Sequence, residues 1–438
     1  MTQKKNLIFK TFFFFSFFLS CSTYAQQISF DNHITVSSGT DGFGRPRIVL
    51  VNDNPLIIFR NNTSPKTIKL SKWNGVGFDT AYNITNVGVD PSSQDGPEIA
   101  VYGDTIYVVF SSSATMYSSI MMIRSFDGGI TFSDTMRVSE NNVTQIFRMG
   151  NVTVDNLGNP IISYMSYTTF FTNPKQIVRT SSDFGTTFNT AVVASANASA
   201  EPCECCKSSV IAKDNKIFLL FRVNDNNIRN SHIAMSDNNG LSFDAVNDID
   251  DYNWILNNCP ASITNGVFYG DSILIVKKSG ATGNNEVVIT SVSQTSLDYS
   301  YNRNIDDIVG VEQRYPEIVN NGDSIFIVWE DNRSGVQNCF LSYSTNGISD
   351  ISTGLSFTDS TNSGPKFLPH LAFNNGKLHL VYIDYLQSSI KYVKGYFVNP
   401  TYINQYINEN NNNLNFDFLG RNNNNSILKF ILKNKNTR

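Results

Sequence analysis

One pattern returns about every fifty residues and constrains this chain more than any other feature. A leading residue, often Pro, precedes an apolar alternation, a Gly/Asn/Asp turn and a second apolar strand. It is clearest from Gly96-Pro97-Glu98-Ile99 through Gly103-Asp104 to Val108-Val109-Phe110. It returns from Tyr315-Pro316-Glu317-Ile318 to Trp329, and from Leu368-Pro369-His370-Leu371 to Tyr382. Weaker copies end at Phe59, Tyr164, Phe221 and Val276, so successive ends lie 51 to 57 residues apart. Period-two alternation with turn chemistry means paired strands, and a unit of this length fits a four-stranded propeller blade. The expected fold is therefore all-β, a β-propeller of seven four-stranded blades, with six blades as the alternative. The seventh copy runs on through Ile390-Lys391-Tyr392-Val393 and then stops one strand short. Ile34-Thr35-Val36-Ser37 matches the fourth-strand positions Met136-Arg137-Val138-Ser139 and supplies the missing strand. An N-terminal strand that closes the last blade protects both edges of the ring.

A ring of this kind spends most of a 438-residue chain on one domain. Charged residues make up only 16%, the formal net charge is −4, and the body contains no basic block that would track phosphates. Nucleic acid is thereby excluded as an expected partner. Residues 1–25 read as a signal peptide: Lys4 and Lys5 start it, Leu7 to Leu19 are almost all apolar, and Thr23-Tyr24-Ala25 precede a cut at Gln26. Acylation of Cys21, as in a lipoprotein, is the alternative. The apolar run is too short for a comfortable membrane span. Residues 26–400 form the propeller, expected as a monomer secreted or held on the outer surface of a bacterial cell. Residues 401–438 are an Asn-rich tail with a basic end. Leu414 to Arg421, with Leu428 to Leu432 behind it, resembles a degenerate C-terminal sorting segment of type IX secretion; a disordered tail is the other reading.

The second half of three repeats carries a more specific signal. Ser125, Asp127, Gly129 and Phe132 recur as Ser181, Asp183, Gly185 and Phe188, then as Ser236, Asn238, Gly240 and Phe243. Ser71 to Phe78 and Ser344 to Ser349 are eroded copies. Physically the octet is a hairpin lock. Gly supplies positive φ, the carboxylate accepts backbone N–H groups across the turn, and the hydroxyl adds a bond. The closing Phe packs between blades. This pattern resembles the Asp box, or BNR repeat, of the sialidase-like propellers. That resemblance implies that the boxes are structural and lie on the face opposite the ligand.

In a propeller, residues just before each inner strand and just after each second strand converge on one mouth of the channel. Arg45, Arg148 and Arg314 precede inner strands of three blades, and Arg222 sits on a returning turn. Sialidases grip a sugar carboxylate with three arginines, and use an Asp as acid/base and a Tyr–Glu pair as nucleophile. The resemblance therefore implies a clamp of Arg45, Arg148 and Arg314, with Asp95 as acid and Glu317 serving a tyrosine, of which Tyr315 is nearest. The sialidase Arg-Ile-Pro signature is absent, the nearest text being Arg45-Pro46-Arg47-Ile48. The alternative is that these arginines pair with acids at the rim. Binding of a glycan or peptide without catalysis is thus the leading expectation. An exo-acting hydrolase of sialidase type and a purely structural module are the rivals, and no cofactor or metal is expected.

A narrower resemblance is to a group of secreted Asp-box propellers with a Cys-x-Cys-Cys segment. Here it is Cys203-Glu204-Cys205-Cys206, followed by Arg222, Arg229, Trp254 and Cys259-Pro260. Cys206 and Cys259 hold equivalent leading positions of adjacent blades, which predicts a disulfide between them, or from each of them to Cys203 or Cys205. A thiolate metal site is the alternative, although the two-residue spacer of most such sites is missing. Cys339 aligns with apolar Ile120 and is expected as a buried, inert thiol.

Overall fold

The computed structural model describes residues 27–39, 44–90, 92, 95–113 and 118–398. The proposed signal peptide, residues 1–25, and the tail, residues 401–438, lie outside the described residues. The chain divides into two units, 1–28 with 397–438, and Ser29–Tyr396. The described residues of the first, Gln27, Ile28, Phe397 and Val398, are all extended strand.

The second unit is a seven-bladed propeller. Six consecutive sheets are four-stranded antiparallel meanders whose first strands are Arg47–Val51, Glu98–Tyr102, Gln145–Val154, Ser209–Lys213, Asn265–Tyr269 and Arg314–Asn321. The seventh runs Lys366–Asn374, Lys377–Asp384 and Ser389–Val398, and is completed from the N-terminal side. Ile34–Ser38 pairs with its third strand, placing Ile34 opposite Tyr392 and Ser38 opposite Ser389. Gln27–Phe30 joins the same sheet. The expected closing strand is in place, and the count is seven rather than six.

The second strand of each blade explains the apolar runs in the sequence. Asn54–Arg60, Thr105–Ser111 and Lys216–Arg222 are buried at nearly every position, because a blade's middle strand is covered on both faces by its neighbours. The core is accordingly a ring of interfaces. Leu56, Ile58 and Leu70 of the first blade meet Ile106, Val108 and Phe110 of the second. Tyr107, Val109 and Met122 of the second meet Phe147, Ile162 and Tyr164 of the third. Where the seventh blade meets the first, Val381 and Tyr392 pack on Ile48, Ile57 and Phe59. Each such layer buries side chains worth roughly 1.5–3 kcal/mol apiece relative to exposure.

The recurring octets that begin at Ser125, Ser181 and Ser236 close the turns between third and fourth strands, on the face away from the mouth. Ser125 Oγ accepts from Gly129 N at 2.9 Å and donates to Asp127 Oδ1 at 2.7 Å. Asp127 Oδ1 also accepts from Ile130 N and Thr131 N, each at 2.9 Å. Asp183 repeats this with Ser181 and Thr187, and Asn238 with Ser236 and Ser242. Gly129 has φ 76°, and a Cβ there would meet Leu56 Cδ1 at 3.1 Å and Ile106 Cδ1 at 3.2 Å. Both the dihedral and the interblade packing therefore call for glycine. Phe243 is buried at 3% exposure, whereas Phe132 and Phe188 are half-buried against their interblade layers.

Candidate functional site

Strand polarity brings the leading residues of the inner strands together at the channel mouth, and there they form a buried ionic lattice. Arg47 donates to both oxygens of Glu98, from Nε at 2.7 Å and from Nη2 at 3.1 Å. Lys207 Nζ lies 2.8 Å and Arg45 Nε 3.2 Å from Glu98 Oε1. Glu317 Oε1 lies 3.3 Å from Arg47 Nη2 and 4.0 Å from Arg45 Nη2, and its Oε2 accepts from Asn265 Nδ2 at 2.8 Å. Gly96 packs under Arg45, where a Cβ would fall 2.6 Å from the arginine Cβ. His370 Nδ1 accepts from Ile48 N at 3.2 Å, and burial holds its pKa well below the usual value. Residues from six blades thus meet at the mouth.

The two glutamates differ in charge environment. Burial alone pushes a carboxyl up, but three cations within 3.2 Å hold Glu98 well below the ordinary range. Glu317 has its nearest cation at 3.3 Å, and there burial prevails and raises it. The hollow beside Arg45, Arg47, Tyr315 and Glu317 measures about 10 Å³, room for one water at most.

The remaining mouth residues are engaged in the same manner. Asp95 is fully buried and accepts from Ser111 Oγ at 2.6 Å, Met149 N at 2.7 Å and Arg148 Nε at 3.1 Å. Arg148 reaches Asp90 as well, at 3.1 Å. Arg314 Nε donates to Glu330 Oε1 at 2.6 Å, and Leu368 N donates to Glu330 Oε2 at 2.8 Å. Burial pushes Glu330 up to about 7 despite that arginine. Arg222 donates to the carbonyls of Arg229 and Lys278 and stacks on Trp254 at 4.9 Å. Tyr315, at φ 52°, is half-buried beside Arg314, and burial raises its phenol pKa.

The three arginines set against the sialidase scheme lie beside acids at the rim. Arg45 shares Glu98 and Glu317 with Arg47, Arg148 pairs with Asp90 and Asp95, and Arg314 pairs with Glu330 across its own blade. Glu317 serves two arginines rather than Tyr315, and Asp95 is sealed under Ser111 and Met149. Two further cations stand at the mouth, where strand polarity puts them. Lys207, which leads the fourth blade's inner strand, joins the lattice through Glu98, and Arg333 sits on a returning turn of the sixth blade. Arg333 bonds Asp331 and Asp306 and lies 4.1 Å from the Phe340 ring centroid.

A roomier hollow of about 220 Å³ opens on the same face of the fifth blade. Asp250, Asp251, Tyr252, Glu286, Asn302 and Arg303 line it, with Tyr252 at 68% exposure. Nothing in the repeat pattern pointed to it, because its walls come from a linking segment and an outer strand.

The cysteine segment gathers at the boundary of the fourth and fifth blades. The disulfide joins Cys205 to Cys259, with Cα atoms 6.1 Å apart. Of the expected pairings, the one in place is thus Cys259 with Cys205 and not with Cys206. The turn closed by Cys206 N on Cys203 O, at 3.1 Å, points Cys205 outward and buries Cys203 and Cys206 as free thiols. Cys339 is a buried free thiol, as expected.

No family model and no curated protein matches this chain. Solved structures do resemble it. One is a protein of unknown function from Dyadobacter fermentans, at 10% identity and TM-score 0.48, covering 85% of this chain and 99% of that one. Another is Trypanosoma rangeli sialidase bound to the inhibitor DANA, at 11% identity and TM-score 0.48, covering 87% of this chain and 61% of that one. A third is an ulvan lyase of polysaccharide lyase family 25, at 10% identity and TM-score 0.41, covering 59% and 66%. This chain therefore spans about three fifths of the length of that sialidase. Among the described residues no helix is long and apolar enough to cross a membrane.

Proposed function

We propose that this chain is an exported, sialidase-like propeller that holds a glycan or a peptide on its mouth face without hydrolysing it. One observation carries the reading: the groups a sialidase would need are already committed to one another. A phenol needs an adjacent base to become a nucleophile, and the Glu317 carboxylate faces Arg45 and Arg47 instead. A carboxylate ligand would have to displace a buried counter-ion from each arginine, at several kcal/mol per ion. Binding needs none of this. The 220 Å³ hollow offers an exposed aromatic face, amides and charges of both signs, the mixture that recognises a sugar ring or a peptide side chain.

The test is a fluorogenic sialoside assay run beside a glycan and peptide binding screen, on wild type, Arg314→Ala and Tyr252→Ala. Binding without turnover, weakened about tenfold or more by Tyr252→Ala, is the expected result. Turnover that vanishes in Arg314→Ala would overturn the proposal in favour of an exo-acting hydrolase.

A further inference from the structure

The Cys-x-Cys-Cys turn does something that a structural cross-link does not require. Cys203 Sγ is fully buried, 3.6 Å from Cys205 Sγ and 3.4 Å from Cys206 Sγ. The sulfur it touches at Cys205 is half of the disulfide to Cys259, which lies at the exposed end of the bond. Arg229 Nη1 approaches Cys203 Sγ to 3.2 Å. A free thiol is therefore in contact with a guanidinium and with a disulfide.

The surroundings of Cys203 favour its thiolate. The Cys206 S–H, the Cys205 backbone N–H and Arg229 bring it down to about 7, against burial and the Glu204 carboxylate. Burial pushes Cys206 up, although Arg222 faces it, so Cys206 keeps its proton. The Tyr167 hydroxyl donates to Glu204 O at 2.5 Å, and burial raises its pKa, as it does that of Tyr315, which also faces Cys206. A thiolate is the attacking species in disulfide exchange, and it works best when its pKa lies near the ambient pH.

We infer that the Cys205–Cys259 disulfide is mobile, and that Cys203 is a built-in nucleophile which exchanges with it and delivers a reactive thiolate to the mouth surface. The Cys203 thiolate attacks Cys205 Sγ, a Cys203–Cys205 bond forms, and the Cys205–Cys259 bond breaks. The electron pair leaves on Cys259, which is exposed and exchanges protons with water. One disulfide is lost and one gained, so no outside oxidant or reductant enters. The freed Cys259 thiolate then attacks an external disulfide, forming a mixed disulfide and releasing one thiol. The partner class is thus a disulfide-bearing molecule. Arg229 and Cys206 act as positioning residues that keep Cys203 ionised.

The experiment uses the full exported chain, incubated with N-ethylmaleimide between about pH 5 and about pH 8.5, quenched in acid and mapped unreduced. Trypsin leaves Cys203, Cys205 and Cys206 on 180–207 and Cys259 alone on 230–277. A migrated bond therefore appears as a labelled 230–277 separated from 180–207, which then carries an internal disulfide. Labelling of Cys259 is expected to rise through about pH 7 and to slow about tenfold or more in Cys203→Ser. Arg229→Gln should move the midpoint to higher pH. An intact, unlabelled Cys205–Cys259 link at every pH would overturn the inference. So would equal labelling in Cys203→Ser, or four free thiols holding an equivalent of zinc or copper. Should Cys203→Ser fail to fold by circular dichroism, an unmoved midpoint in Arg229→Gln is decisive against it.

Discussion

The two faces of this propeller present carboxylates in equally tight company and satisfy them in opposite ways. On the octet face, Asp127 and Asp183 accept hydrogen bonds from residues within four positions of themselves. At the mouth, Glu98 is held by cations 51 and more residues away in sequence, from the first and fourth blades. Local satisfaction makes a turn that any blade can carry or lose alone. Long-range satisfaction makes a lattice in which no member can change without stranding another.

That contrast breaks most visibly at Glu98. Glu98→Ala leaves Arg45, Arg47 and Lys207 short of a shared counter-ion and should cost about 3–5 kcal/mol, read by urea unfolding near neutral pH. A loss under about 1 kcal/mol would mean the cations are rescued by water, and the lattice is looser than its distances. Next come the octet aromatics. Phe243→Ala, at a fully buried position, should cost about 3–5 kcal/mol. Phe132→Ala and Phe188→Ala should cost about half as much, because half their surface is already wet. Equal losses in thermal melts would contradict this ranking.

The third effect is a pH slope. Glu330 is pushed up to about 7 by burial, so between an unfolded value of about 4.3 and 7 the folded state binds the extra proton. Stability should fall as pH rises through that window. Glu330→Gln should flatten the difference between unfolding midpoints at about pH 5 and about pH 8. The smallest effect belongs to the opposite face. Asp183→Asn should leave the melting temperature unchanged within error, since Asn238 already fills the same role in the fourth blade with the same two hydrogen bonds. Asp183 itself is held down to about 2 by Thr187 and Ser181. Its bonds therefore persist until the pH falls through that value, well below the ordinary carboxylate range.

The same contrast explains what the sequence disclosed. Blade number, strand order, the donor strand Ile34–Ser38 and the hairpin locks all follow from neighbours a few residues apart, or from a repeat that states its own period. The convergence of Arg45, Glu98, Lys207 and Glu317 on one face was legible from strand polarity. Their pairing was not, because which carboxylate meets which guanidinium depends on side-chain reach across the channel. The partner of Cys259 was not legible either, for a related reason. The turn at Cys203 to Cys206 decides which sulfur points outward, and the spacing in Cys-x-Cys-Cys leaves that open. The hollow at Tyr252 belongs to segments outside the repeat, and periodicity is silent about those.

The strand Ile34–Ser38 meets its partner more than 350 residues later in the chain. An emerging chain thus carries an unmated strand from its beginning until the seventh blade has appeared. Six blades can form one after another from sequentially adjacent strands, while ring closure waits for the longest loop the chain contains. Until then the third strand of the seventh blade, Ser389–Val398, is an open edge, and a second copy's Ile34–Ser38 is the segment best shaped to fill it. Crowded refolding should therefore yield linked rings as its characteristic error.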